Sequence, residues 1–172
     1  MHDVTRPAPW TGSRQAGGKA ARYRDLAREL DALLTGESDA TANAANAAAA
    51  IYHGLPDLNW AGFYFLRDEM LVLGPFQGRP ACVRIRLGAG VCGTAARERR
   101  PVLVADVEAF PGHLACDTAS RSELVVPLIA ADRLLGVLDL DSPLLARFDA
   151  EDQTGCEVLA AILVGHLTRS ML

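Results

Sequence analysis

Residues 122–140 read SELVVPLIA (122–130), ADR (131–133) and LLGVLDL (134–140), and this stretch decides the fold. Two apolar segments of strand length flank a short polar turn, so they pair as antiparallel neighbours. Further strands gather upstream. Asn59–Leu66 (NWAGFYFL) is aromatic and strand-like, and Arg67–Glu69 turns it into Met70–Phe76 (MLVLGPF), a second hairpin. Cys82–Leu87 (CVRIRL) alternates with the period of a half-buried strand, and Pro101–Ala105 (PVLVA) is a short one. Between these two, Gly88–Arg100 opens on glycines and continues as a short helix with a basic end.

Helices close both ends of this run. Leu26, Leu30, Leu33 and Leu34 fall at helical spacing across Lys19–Leu34, before Gly36. Ser38 or Asp39 is placed to cap the alanine-rich segment ATANAANAAAAIYHG, whose composition favours a close-packing helix. Asp149–Arg169 is amphipathic, with Val158 and Ile162, and Leu159, Leu163 and Leu167, on apolar ridges. Strands clustered between helices predict an α+β fold: one antiparallel sheet flanked by N-terminal helices and a C-terminal helix. Residues 1–18, rich in proline and glycine, read as a flexible arm that could lay Trp10 on the surface, and 19–172 as a single domain.

Half of the 172 residues are apolar, enough for one domain with a sizeable core. The net charge of −4 and the lack of a long basic run argue against a nucleic-acid partner. No apolar stretch approaches the ~20 residues of a membrane span, and no secretory pattern opens the chain, so a cytoplasmic location is expected. In that reducing compartment four cysteines are read as buried filler, metal ligands or reactive thiols rather than as a structural disulfide frame.

Cys156 sits among apolar helix neighbours and reads as a small hydrophobe. Cys116 is the candidate nucleophile. It lies in the long polar loop Asp106–Arg121, within HLACDTAS, where backbone N–H groups among small residues can stabilise a thiolate or hold a carboxylate. An ordinary loop cysteine would show the same local pattern. Cys82 and Cys92 match no CxxC motif. A zinc set of Cys82, Cys92, Cys116 and His113 has only one closely spaced ligand pair, His113 and Cys116, so zinc is not expected. Glu123 opens a central strand, and Asp139 and Asp141, two apart, share a sheet face that could receive an ammonium group or supply a general acid. Asp141-Ser142-Pro143 also reads as a turn. Trp60 and Tyr64, four apart on one strand, share a face and fit either a pocket wall or core.

Taken together and in order, NWAGFYFL, LVLGPFQGRPACVRI, GAGVCGTA, FPGHLACD, SELVVPL and GVLDLDS closely resemble the free methionine-(R)-sulfoxide reductases, single-domain enzymes of the GAF fold. The resemblance spans about residues 20–170. It implies that Cys116 is the reacting cysteine, that Cys82 forms the main disulfide with it, and that Cys92 takes part in resolution or exchange. It also implies that Glu123, Asp139 and Asp141 are the acidic pocket residues, and that Trp60 and Tyr64 are its aromatic wall.

On this reading, Cys116 thiolate attacks the sulfoxide sulfur of free methionine sulfoxide while Glu123 or Asp141 protonates the oxygen. The resulting sulfenic acid condenses with a second thiol, and thioredoxin or a similar dithiol restores the enzyme without metal or organic cofactor. Asp139 or Asp141 would bind the free ammonium and N–H groups around Leu114–Thr118 the free carboxylate, which would exclude sulfoxides within peptides. The alanine-rich helix leaves room for a homodimer. The rival readings are a non-catalytic GAF module that binds a small ligand, a redox-sensing thiol protein, and a cysteine hydrolase using His113 as base. The first lacks an output domain in these residues and leaves the cysteine pattern unexplained; the last lacks an orienting partner for the histidine.

Overall fold

The computed structural model describes residues 18–112 and 118–169. Helices α1 (Lys19–Leu34) and α2 (Ala40–Gly54) lead into strands β1 (Trp60–Arg67), β2 (Met70–Gly78) and β3 (Arg84–Arg86). Helix α3 (Gly90–Glu98) and strand β4 (Val102–Val104) follow, then a 3-10 turn at Val107–Ala109, β5 (Ser122–Ala130), β6 (Arg133–Ser142) and α4 (Ala150–Arg169). The six strands form one sheet in the order β3-β2-β1-β6-β5-β4, antiparallel at every pairing. This is the expected α+β architecture, with the hairpin of residues 122–140 paired to β1 on one side and to the edge strand β4 on the other.

Alternation along the central strands gives the sheet two different faces. Ala61 and Phe63 on β1, Leu124, Val126 and Leu128 on β5, and Leu138 and Leu140 on β6 turn toward α1, α2 and α4. That side is the main core. Tyr23, Leu26, Leu30 and Leu34 recur every three or four residues along α1, which packs chiefly on α4 and α2. A fully buried leucine such as Leu30 or Leu34 stabilises the fold by about 1.5–3 kcal/mol. In α2 the small side chains of Ala44, Ala47 and Ala48 let the helix lie close to β1 and β2. Of the two expected caps Asp39 serves: its carboxylate accepts from the Ala42 N–H at 2.8 Å.

The opposite face carries a second, smaller core. Trp60 and Tyr64 of β1, Val125 of β5 and Val137 of β6 pack there beneath Val91, Cys92, Ala95 and Ala96 of α3. Gly93 lets α3 descend onto β3, since a Cβ at this position would lie 2.3 Å from the Arg86 carbonyl oxygen.

Three expectations need correction. The strand expected over Cys82–Leu87 is only three residues long, and Cys82 precedes it. Of its three apolar positions Ile85 alone is buried, because this edge strand pairs with β2 only along Met70–Val72 and leaves Val83 and Leu87 exposed. Val158, expected on an apolar ridge, is exposed on the rim of a groove between α1 and α4. Finally, β6 runs to Ser142, so Asp141 belongs to a strand rather than to a turn.

Candidate active site

The strand register brings the acidic residues together. Asp141 of β6 lies between Trp60 of β1 and Glu123 of β5, and Asp139 between Gly62 and Val125. Glu123, Asp139, Asp141, Trp60 and Tyr64 therefore share the face covered by α3. From that helix Cys92 reaches down, with its Sγ 3.9 Å from Glu123 Oε1. One donor atom from each of Cys92, Glu123 and Asp139 lies within 4.8 Å of the other two. All three residues are buried, and Asp139 Oδ1 has no hydrogen-bond partner.

The aromatic wall depends on a glycine between its members. Trp60 and Tyr64 stack at 5.9 Å between ring centroids, much closer than four residues of extended strand. The Trp60 ring lies over Gly62, where a Cβ would come within 2.7 Å of its Cη2. On its other side the ring stacks on Phe76 at 5.3 Å, and its Nε1 donates to the Arg79 carbonyl at 3.1 Å. An extra residue on β2 between Leu73 and Phe76 shifts the register opposite Gly62–Tyr64. Both aromatic side chains are buried, so they belong to the smaller core and face the acidic cluster together.

Burial, with negative neighbours, sets the protonation of the cluster. The Glu123 carboxyl is pushed well above the usual carboxylate range by burial, and then by Asp139 and Asp141. Asp139 rises from its ordinary 3.8 to about 6 through burial, opposed by hydrogen bonds from Cys92 and Glu123. The Cys92 thiol is likewise driven upward by burial and the two carboxyls, and Tyr64 by burial and Asp139. Of the two carboxyls, this arrangement favours the proton on Glu123 and the negative charge on Asp139.

Cys82 is half-buried, packed against the smaller core and disulfide-bonded, whereas Cys92 and Cys156 are free thiols. The zinc set considered from sequence is therefore not built here, since a sulfur in a disulfide is not available as a thiolate ligand. Cys116 and His113 lie outside the described residues. Cys156 is buried beside the Tyr23 hydroxyl at 3.6 Å, on the other side of the sheet.

Sequence reasoning missed the parts that hold the rim. Asn59 Nδ2 donates to Ser120 Oγ at 3.0 Å, and its N–H donates to the Asp141 carbonyl at 3.1 Å. The Arg121 N–H donates to the Ser142 carbonyl at 2.7 Å. These bonds anchor the end of the Asp106–Arg121 loop beside Asp141. Asn59 immediately before the aromatic strand was the only visible signal. Neither Gly62 nor Gly93 had any signal of its own.

A sheet with three helices on one face and an acidic cluster covered by a fourth helix on the other defines a GAF domain, and the GAF domain family matches residues 37–164. Within it, the chain is 50% identical over 145 residues to the free methionine-R-sulfoxide reductase of Escherichia coli, covering 84% of this chain and 88% of that protein. The protein of the same name from Saccharomyces cerevisiae is 42% identical over 146 residues, covering 80% of this chain and 81% of its own. The X-ray structure of the Neisseria meningitidis enzyme in complex with its substrate superimposes with a TM-score of 0.88 at 43% identity, covering 91% of this chain and 95% of that one. The chain belongs to the free methionine-R-sulfoxide reductase family.

Proposed function

We propose that this protein reduces free methionine (R)-S-oxide to methionine by thiol chemistry, with Cys116 as nucleophile and Glu123 as acid. The buried Cys92–Glu123–Asp139 cluster carries the reading. A sulfoxide sulfur is a poor electrophile until its oxygen is protonated, and Glu123 is a carboxyl whose protonated form burial and its acidic neighbours favour. Asp139, ionised above about pH 6 and with Oδ1 unpartnered, suits the substrate ammonium. Trp60 and Tyr64 wall the pocket for the side chain, and Asp141 adds negative charge at its rim.

Attack by the Cys116 thiolate transfers the sulfoxide oxygen to sulfur 116, with the proton coming from Glu123. Methionine leaves as the thioether, and Cys116 becomes a sulfenic acid. A resolving thiol condenses with it, releasing water and forming a disulfide. We assign that thiol to Cys82, as the family resemblance implies; Cys82 is disulfide-bonded, whereas Cys92 and Cys156 are free thiols. Thioredoxin or a similar dithiol then regenerates both thiols by exchange. Cys92, whose Sγ lies 3.9 Å from Glu123, would take part in exchange or tune the acid. Among the described residues no helix is long and apolar enough to cross a membrane, and a cytoplasmic protein supplied with such a dithiol fits the chemistry.

The test is steady-state consumption of reductant with the separated R and S forms of free methionine sulfoxide, and with the N-acetylated R form. Turnover of free R alone is expected, abolished by Cys116→Ser and slowed by Cys82→Ser. Equal rates on the blocked and free substrates would remove the ammonium role of Asp139. Oxidation without turnover would leave a redox-sensing or binding module.

A further inference from the structure

We propose that Cys92 Sγ, a Glu123 carboxylate oxygen and an Asp139 carboxylate oxygen form a site for one thiophilic divalent cation, such as Zn2+ or Cd2+, and that cation and substrate exclude one another. The second half rests on the function proposed above; the first does not.

The donors come from three elements, α3, β5 and β6, and all lie within 4.8 Å of one another. A tetrahedral zinc holds a sulfur and an oxygen ligand about 3.6 Å apart, from bonds of roughly 2.3 and 2.0–2.2 Å. The Cys92 Sγ to Glu123 Oε1 distance of 3.9 Å already approaches that value. Carboxylate rotation can draw in the wider separations.

A second observation points to a missing positive partner. Asp139 is only 6% exposed, and its Oδ1 has no hydrogen-bond partner. A buried carboxylate oxygen left in that condition is unfavourable by itself. The neighbours that act most on Glu123 and Asp139 are carboxyls and a thiol, not cations. Mixed sulfur and oxygen ligation favours zinc-like ions over Mg2+ or Ca2+. On binding, the Cys92 thiol and the protonated carboxyl release their protons to solvent, and the fourth ligand position is left to water. The cation would occupy the space assigned to the substrate ammonium and would remove the proton from Glu123. It acts as an inhibitor.

The protein with its disulfide intact is suited to the test, because among the described residues Cys92 and Cys156 are its free thiols. Cadmium chloride is titrated into the Cys156→Ala variant while the ultraviolet cadmium–thiolate charge-transfer absorption is followed. Saturation at one equivalent is expected, with the band lost in a further Cys92→Ser variant. The near-isosteric Asp139→Asn and Glu123→Gln changes, checked for folding by circular dichroism, should each weaken binding at least tenfold. Added methionine should raise the cadmium midpoint. No band, or a band unaffected by both carboxamide variants, overturns the site. A band that responds to both variants but not to methionine upholds the site and removes the substrate from this pocket.

Discussion

Glu123 and Asp139 are neighbouring buried carboxyls whose surroundings suit them to different duties in the proposed reaction. Both are buried, but Glu123 also feels Asp139 and Asp141, whereas Asp139 receives hydrogen bonds from Cys92 and Glu123. Glu123→Gln keeps the shape and removes the proton, so kcat should fall by about a hundredfold or more with little change in KM, on the scale usual for general acids. Asp139→Asn should instead act mainly on KM. The same carboxyls affect stability. Their pKa values are raised, so the folded protein holds their protons more tightly than the unfolded chain does. Their stabilising contribution is complete below the unfolded value near 4 and is lost as pH rises through the folded value, about 6 for Asp139. The Tm of the wild type, measured relative to Asp139→Asn, should therefore decline between pH 4 and 7. A flat difference would mean Asp139 is not shifted.

Secondary structure was legible wherever the burial pattern and the hydrophobic period agreed. Helix α1 and strand β5 have the bounds their spacing predicts, because each buries one continuous apolar side. The period alone misled at Val83, Leu87 and Val158: apolar spacing identifies a face but not whether a neighbour reaches far enough to cover it. The shared face of Asp139 and Asp141 followed from two-residue spacing. The approach of Cys92 to Glu123, 31 positions apart, depends on how α3 seats on the sheet, which no local pattern encodes. Gly93 controls that seating. Gly93→Ala should push α3 outward, lower stability by about 1–3 kcal/mol in denaturant titration, and reduce activity more than the loss of folded protein explains. Wild-type kcat in a well-folded Gly93→Ala protein would show that α3 placement is immaterial.

The whole molecule is clamped by one buried carboxylate on the side away from the pocket. Asp152 of α4 is fully buried and accepts from Lys19 Nζ at 2.6 Å, Tyr23 Oη at 2.9 Å and Arg147 Nη1 at 3.1 Å. It joins α1, α4 and the segment after β6. Asp152→Ala takes the shared acceptor from Lys19, Arg147 and the Tyr23 hydroxyl, although Lys19 keeps Asp149 and Arg147 keeps the Pro56 carbonyl, and should lower stability by about 3 kcal/mol in urea. A loss under 1 kcal/mol would make the clamp incidental. The domain expectation can be tested similarly. Removing residues 1–17 leaves α1 and this clamp intact, so activity should persist.

One measurement reaches the central claim most directly. Fully reduced protein, freed of reductant, is mixed with the R form of free methionine sulfoxide; methionine is counted, and the product disulfide is mapped by peptide mass spectrometry. About one methionine per chain and a Cys82–Cys116 bridge are expected, with neither in Cys116→Ser. The account would be contradicted by no methionine from the wild type, or by an undiminished yield from Cys116→Ser.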